Sequence, residues 1–597
     1  MDAFYIILLV CSSLILLAAF SSLIAFRFGA PLLLLFLSVG LLAGTDGLGI
    51  DFDNAGLAYM LGSIALAVIL FDSGFGTPIK AFKQAAAPAI TLATLGVILT
   101  TGLFALAAML FAGLNFTQGL LLGSIVASTD AAAVFFLLRI GGVNIRDRIT
   151  SSLEVESGTN DPMAIFLTIT LVQLVAKGHG LEDLDWHLLV DFIEEMGLGV
   201  IFGMLGGWMI VAATNRFETD RGIAPILVLA LSLLVFSATG AFGGSGFLAC
   251  YVAGLYAGNQ PLQARVSIRR FQEGMTWLAQ IIMFVVLGLL ATPSDFGAIL
   301  LPAILLGLFL ILVARPLAVW LCLLPFDFAQ KEITFVAWVG LRGAVSILLS
   351  ILPILYQVEG GQVFFNLTFI IVLVSLVVQG WTIKVMAKQL NLIVPRQTGD
   401  VDRIEVDLPR SATHELVSYR VIKDTPVLRG ARIPRWATPS LVIRDGRSMR
   451  YQYAGRLKEN DIVYLFVAPA YLKLLDRLFA SRVELAQDDE EFFGTFAIGT
   501  SRPAQEFDAA YGPGLLTAQE MEMTMGELVM ARLGGQAEFA DRIRIGPIVL
   551  IVRDLDENHR VSAIGISMAE IEPPKTPPLF LNLREILQRF RARARAS

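Results

Sequence analysis

Charge is scarce in this chain. Only 16% of its 597 residues are Asp, Glu, Lys or Arg and 56% are hydrophobic, against about 25% charged in an ordinary globular protein. The three cysteines, Cys11, Cys250 and Cys322, all lie in apolar runs, which excludes a disulfide framework and a CxxC metal site. Four scattered histidines, His179, His187, His414 and His559, have no metal-ligand spacing. No G-x-G-x-x-G loop or Walker P-loop follows a predicted strand, which argues against a full nucleotide-binding domain and against ATP-driven work. HExxH, paired G-x-G-D aspartates and a Ser/His couple are missing from the apolar part, so an intramembrane enzyme is disfavoured. No resident metal or cofactor is expected. The net charge of −6 removes nucleic acid as a default partner.

The shortage is local. Residues 1–390 hold 17 Lys/Arg and 23 Asp/Glu, whereas residues 391–597 hold 28 of each. The first part therefore has a membrane composition and the second a soluble one. The uncharged run from Ala3 to Phe26 is as long as a bilayer-spanning helix, which needs ~20 residues. It lacks a basic n-region and a small-residue cleavage site, so it reads as a retained helix. Apolar runs continue at 31–48, 56–72, 88–113, 118–138, 153–176, 188–213, 223–240, 244–258, 275–292, 298–322, 332–356 and 362–383. This predicts a polytopic all-α membrane protein of about thirteen spans, followed by α+β domains.

If the spans alternate, one set of loops carries fourteen Lys/Arg, including Lys80, Lys83, Arg146, Arg148, Arg265, Arg269 and Arg270, and the other carries only Lys177. Under the positive-inside rule the N-terminus faces out and the soluble tail is cytoplasmic.

A charge at the middle of a spanning helix costs about 2.5–3.5 kcal/mol on insertion scales, which makes each one a functional suspect. The sixth span opens Glu154-Val-Glu156-Ser157-Gly-Thr-Asn160-Asp161-Pro162. Glu154 and Asp161 are seven apart and Glu156 and Asn160 four apart, so two adjacent stripes of a helix are polar. Pro162 frees a carbonyl near Gly158. A polar helix end in a loop is the alternative for Glu154. The fifth span is interrupted by Ser128-Thr129-Asp130 and the twelfth by Gly340-Leu-Arg342-Gly343, one acidic and one basic break in corresponding positions. That is the pattern of inverted repeats with two broken crossing helices, whose half-helix ends need neutralising. Small residues for close packing would explain the glycines but not the charges. Asp72, at the end of the third span, fits a site or a helix cap equally. Arg315, before Pro316, reads as an inner-end residue that snorkels.

Four stretches together resemble the monovalent cation/proton antiporter family, in its NhaP/sodium–proton-exchanger branch. They are Phe71-Asp72-x-Gly74, Ser128-Thr129-Asp130-Ala-x-Ala-Val134, Glu156-Ser157-Gly-x-Asn160-Asp161-Pro162 and Gly340-Leu-Arg342-Gly-Ala-Val345. The most similar members are the CvrA-type potassium/proton antiporters. The resemblance implies an NhaA-like fold, a bacterial inner-membrane location and a homodimer in membrane lipid. It implies that Asp161 binds cation and proton in alternation, with Asn160, Ser157 and Thr129 beside it and Asp72 at the third-span acidic position. It also implies that Glu156 pairs with Arg342, and that Asp130 steadies the crossing. The transported ions would be K⁺, or Na⁺ at the same site, and H⁺. With Asn at 160, one proton per cation is expected. A ligand-gated cation channel is the rival from another class.

Beyond a linker at 391–402, residues 403–480 alternate like strands, with Leu441–Gly446, Tyr451-Gln-Tyr453 and Asp461–Val467 as examples. They resemble the TrkA-C (RCK-C) ligand-sensing domain, which implies a small nucleotide-type effector. Residues 491–575 resemble the CorC/HlyC transporter-associated domain. Residues 576–597 read as a basic helix touching anionic lipid or as a solvated tail.

Overall fold

The computed structural model describes residues 2–28, 32–140, 143–177, 186–216, 222–393, 402–406, 415–468, 471–480, 496–511, 514–556 and 560–568. Most of the predicted linker and all of the basic segment 576–597 lie outside them. The chain divides into two compact units, 1–395 and 396–597.

The first unit is helical. In order it contains α1 (Asp2–Phe28), α2 (Leu32–Ala43), α3 (Ala55–Gly76), α4 (Ile79–Thr91), α5 (Val97–Ala112), α6 (Phe116–Ala127), α7 (Ala131–Ile140), α8 (Asp147–Ala176) and α9 (His187–Arg216). There follow α10 (Ile223–Ala241), α11 (Gly246–Gly258), α12 (Arg265–Leu289), α13 (Leu300–Phe309), α14 (Arg315–Leu323), α15 (Gln330–Trp338), α16 (Ala344–Leu349), α17 (Leu352–Leu355) and α18 (Gly361–Gln389). Helix occupies each of the thirteen predicted spans. Among the described residues, eight helices are long and apolar enough to cross a bilayer, nine with the pair α6–α7, which is bent by 41°. Shorter apolar helices cover 8–21, 32–43, 246–258 and 344–355.

Two spans run through one turn of π-helix, at 92–96 and 310–314. Each such turn takes one extra residue and re-phases every later side chain. The breaks fall where the sequence places charge. α6 stops at Ala127 because Ser128 turns to extended backbone, and α15 stops before Val339, with α16 resuming after Gly343. α3 and α11 pack almost backbone to backbone. A Cβ on Gly74 would run into the Tyr251 carbonyl, and one on Gly254 into that of Phe71, so side chains are dispensed with at that seam.

The second unit contains two antiparallel sheets. The first has five strands in the order β1-β2-β5-β3-β4, from 402–406, 415–420, 437–444, 447–450 and 462–467 in chain order. Asp445 and Gly446, both with positive φ, make the two-residue hairpin that Arg-Asp-Gly announces. Tyr451-Gln-Tyr453 is a helical turn over Tyr451–Ala454 and not a strand, because β4 ends at Arg450 and Gly455, at positive φ, redirects the chain. The second sheet has the order β6-β9-β8-β7, from 496–498, 542–545, 548–555 and 561–568. The two sheets share a seam. Phe539 and Ala540, just before β7, pack into the core of the first sheet. There Arg435 pairs with Asp541, and the Trp436 ring nitrogen donates to the Ala540 carbonyl at 3.0 Å.

Asp461, just before β5 (462–467), is tied down by structure. Arg444 donates to its two carboxylate oxygens at 2.9 and 2.7 Å, and the Lys458 N–H donates at 2.7 Å. Burial pushes this carboxyl up, but the Arg444 bonds, the Lys458 N–H and the nearby positive charges more than offset it, so it sits below the usual carboxylate range. A depressed carboxyl contributes its stability above the unfolded value of about 3.9 and loses it as pH falls through the folded value. Asp461→Asn should cost about 1.5–3 kcal/mol. Hydrogen exchange in the intact chain should quicken in β2, β3 and β5 at neutral pH. Unchanged protection there would assign Asp461 a different task.

Candidate functional site

The site is built where the two broken helices meet. The Asp130 N–H donates to the Leu341 carbonyl at 2.8 Å, joining one break to the other. Arg342, fully buried, donates through Nη1 to the carbonyls of Ala127 at 2.5 Å and Ser128 at 2.8 Å. Its charge is therefore spent on the carbonyl end of α6, where a cation is favoured. Asp130 does the converse. Its Oδ1 accepts the Ala133 N–H at 3.0 Å, at the start of α7. Its carboxylate also lies against Gly343, at the start of α16, so closely that a Cβ there would strike it. One anion thus caps the N-terminus of α7 and lies against that of α16, and one cation serves the C-terminus of α6. The end of α15 is satisfied without charge, since Gln379 donates to the Trp338 carbonyl at 2.6 Å and Ser375 accepts the Arg342 N–H at 3.1 Å.

α8 passes beside this crossing and presents its two polar stripes differently. Glu154, Ser157, Gly158 and Asp161, at helical spacings of three and four, line a cavity of about 370 Å³. Asp161, only 6% exposed, accepts a hydrogen bond from the Ser128 hydroxyl. Ser157 Oγ donates to the Thr129 carbonyl at 3.0 Å and accepts the Ala131 N–H at 3.2 Å. The Asn160 amide donates to Thr129 Oγ1 at 2.6 Å, and its Oδ1 has no hydrogen-bond partner among the described residues. Pro162 has no N–H to give the Gly158 carbonyl, so that rung of the helix ladder is missing. Carboxylate and hydroxyl oxygens in this cavity are hard donors of the kind suited to an alkali cation.

The residues expected from sequence divide into three groups. Asp161, Asn160, Ser157 and Thr129 come together at the crossing, with Asp130 and Arg342 in the breaks. Asp72 lines the same cavity but accepts a hydrogen bond from Thr276 on α12 at 2.9 Å. Glu156 does not pair with Arg342. Its Oε1 accepts from Arg315 Nη2 at 2.5 Å, and both side chains are at least 96% buried. The reason is geometric: Glu156 lies on the stripe of α8 turned away from the cavity, while Arg342 is committed to the α6 carbonyls. Arg315 accordingly does not snorkel to an interface.

Sequence reasoning left out Ser128 as a partner of Asp161, although it opens the S-T-D break. It also left out the mouth of the cavity. Arg269, Glu273 and Thr276 of α12 line it, and their spacing of four and three would have placed them on one helix face. Gly76, Arg269 and Glu273 are exposed while Asp161 is buried. The cavity therefore opens at the C-terminal end of α3 and the N-terminal part of α12, next to the basic residues Lys80 and Lys83 early in α4 and Arg265 at the start of α12.

Comparison with known proteins agrees with this architecture. Residues 13–389 match the family model described as sodium/hydrogen exchanger, transmembrane. The chain is 40% identical over 580 residues to a protein of Alkalimonas amylolytica named K(+)/H(+) antiporter NhaP, covering 96% of this chain and 100% of that one. It is 39% identical to the K(+)/H(+) antiporter NhaP2 of Shewanella baltica, covering 91% of this chain and 94% of that one. The sodium proton antiporter MjNhaP1 from Methanocaldococcus jannaschii superposes with a TM-score of 0.56 at 25% identity, covering 65% of this chain and 99% of the other. With the broken-helix crossing, the oxygen-lined cavity and a family match over most of its helical unit, this chain belongs to the sodium/hydrogen exchanger family.

Proposed function

We propose that the chain exchanges cytoplasmic K⁺ for H⁺ at Asp161 by alternating access, in the bacterial inner membrane as a homodimer. The observation that carries this reading is the Asp161 carboxylate itself, held by Ser128 at the crossing and lining a cavity that the exposed Arg269 and Glu273 also line. A buried carboxylate is costly as a bare anion. Either a proton or an alkali cation relieves that cost, and the two cannot occupy the same oxygens together. Thr129, Ser157 and Asn160 complete the cation's shell or position it, and Asp72 with Glu154 gathers cations at the mouth. One cation leaves for each proton entering, since Asn160 carries no second proton.

The basic loops beside the mouth support a cytoplasmic opening, an N-terminus outside and a cytoplasmic tail. Potassium is favoured over sodium by where the likeness extends. The relatives named for K⁺ match this chain through its tail, whereas one of Aphanothece halophytica named for Na⁺ matches 59% of it at 27% identity. The tail, with its TrkA-C-like and CorC/HlyC-like lobes, then serves as the regulatory part, with a nucleotide-type effector as its ligand class.

Proteoliposomes carrying a pH dye test this. K⁺ and Rb⁺ should drive proton movement at concentrations where Na⁺ does not, and a chain ending at residue 395 should keep the maximal rate while its pH response moves. Sodium acting as well as potassium would leave the site but overturn the ion. A folded, inactive truncation would give the tail more than a regulatory part.

A further inference from the structure

We propose that Gly62 and Leu348 form the outer gate of the exchange path, a single apolar layer that closes the side of Asp161 away from the basic loops. This rests on the alternating-access reading above, which needs such a layer without saying where it is.

Two helices locate it. α3 lines the cavity with Leu66, Ile69, Leu70 and Asp72, and α16 lines it with Ala344 and Val345. One turn further from the mouth on the same faces stand Gly62 and Leu348. The Leu348 side chain fills the notch left by the missing side chain of Gly62, where a Cβ would collide with it. Both residues are buried, and neither lines the cavity, whose walls on these two helices run from Leu66 and from Ala344.

Beyond the contact the wall turns polar again. Ser63 is buried next to Gly62. Tyr59, one turn up α3, is half-buried, and Tyr356, just after α17, is 41% exposed. Tyr356, Tyr59 and Ser63 thus run from an exposed through a half-buried to a buried hydroxyl on the outer side, and the carboxylates and hydroxyls of the cavity begin on the inner side. A cation stripped of water cannot cross the leucine while it is seated. A leucine seated in a glycine notch withdraws without unlocking any interdigitated side chain, and α16 begins at the Asp130 cradle, so a shift at the ion site reaches the plug within two turns.

The test uses the full chain with Cys11, Cys250 and Cys322 replaced by serine, carrying Gly62→Cys and Leu348→Cys together and reconstituted into proteoliposomes. Hg²⁺, which bridges two thiols, should reduce K⁺-driven proton movement at least tenfold, excess thiol should restore it, and each single-cysteine variant should keep its untreated rate. A bridged protein that exchanges at full speed overturns the gate. A cysteine-free parent that moves no protons on K⁺ addition counts against the exchange reading instead. Should the double variant not fold, Leu348→Cys alone in right-side-out vesicles is probed with a membrane-impermeant methanethiosulfonate. External labelling should rise at least tenfold when K⁺ and a pH gradient set the protein turning over. Labelling that never occurs from outside, turnover or not, overturns the gate.

Discussion

Asp161→Asn is expected to lower K⁺-driven proton movement to the level of protein-free liposomes while the protein stays folded and membrane-inserted. Asparagine has nearly the same volume and can still accept the Ser128 hydroxyl bond that Asp161 accepts. It removes a buried anion, so the substitution carries no stability penalty of the kind that comes with an unpaired charge. What it removes is the ability to hold a proton at one moment and a cation at the next. A loss of flux with an unaltered melting temperature therefore separates the transport role from a structural one. Ser128→Ala provides the graded comparison. It deletes the donor to Asp161 but leaves the carboxylate, so transport should persist with a changed pH dependence. If Asp161→Asn retained cation-dependent flux, Asp161 would be a structural residue and the carrier would have to be another carboxylate in the cavity, with Asp72 and Glu154 first in line.

The parts of this site that were legible in the sequence share a physical reason. A charge among small residues in an apolar run is expensive, so Asp130 and Arg342 marked the two breaks before any geometry was known. The helical period puts Glu154 and Asp161 on one stripe, and it is that stripe which lines the cavity, with Ser157 and Gly158. Partners across the fold were not legible. Asp72 could be a cap or a site residue, because what decides the matter is Thr276, some two hundred positions along the chain. Arg315 was misplaced for a local reason. The π turn at 310–314 immediately precedes it, and the added residue rotates it away from the face that a regular helix would give. The seam between the two tail sheets was hidden in the same way, since Arg435 and Asp541 look like unrelated surface charges until the chain is folded.

The second large effect concerns the charge pair that the fold chose over the expected one. Arg315→Met leaves Glu156 buried with no cation within bonding distance, and breaking a buried pair from one side typically costs about 3–5 kcal/mol. Expression and melting temperature should both fall sharply. Adding Glu156→Gln to that variant removes the stranded anion, and most of the lost stability should return, because an uncharged pair of similar volume is tolerated where half an ion pair is not. Arg342→Ala should behave differently. Its loss frees the carbonyls of Ala127 and Ser128 at the end of α6 and loosens the residue whose hydroxyl holds Asp161, so transport should suffer along with stability. Glu156→Gln should not rescue it, as Glu156 already has Arg315. The two rescue experiments therefore discriminate between the pairings by sign. Recovery of Arg342→Ala by Glu156→Gln, with none for Arg315→Met, would restore Glu156 to Arg342 and make the Arg315 contact incidental. Recovery in the opposite pattern would establish Arg342 as the cation that makes a helix ending in mid-membrane tolerable, and Arg315 as the one that lets α8 carry a second buried carboxylate behind the first.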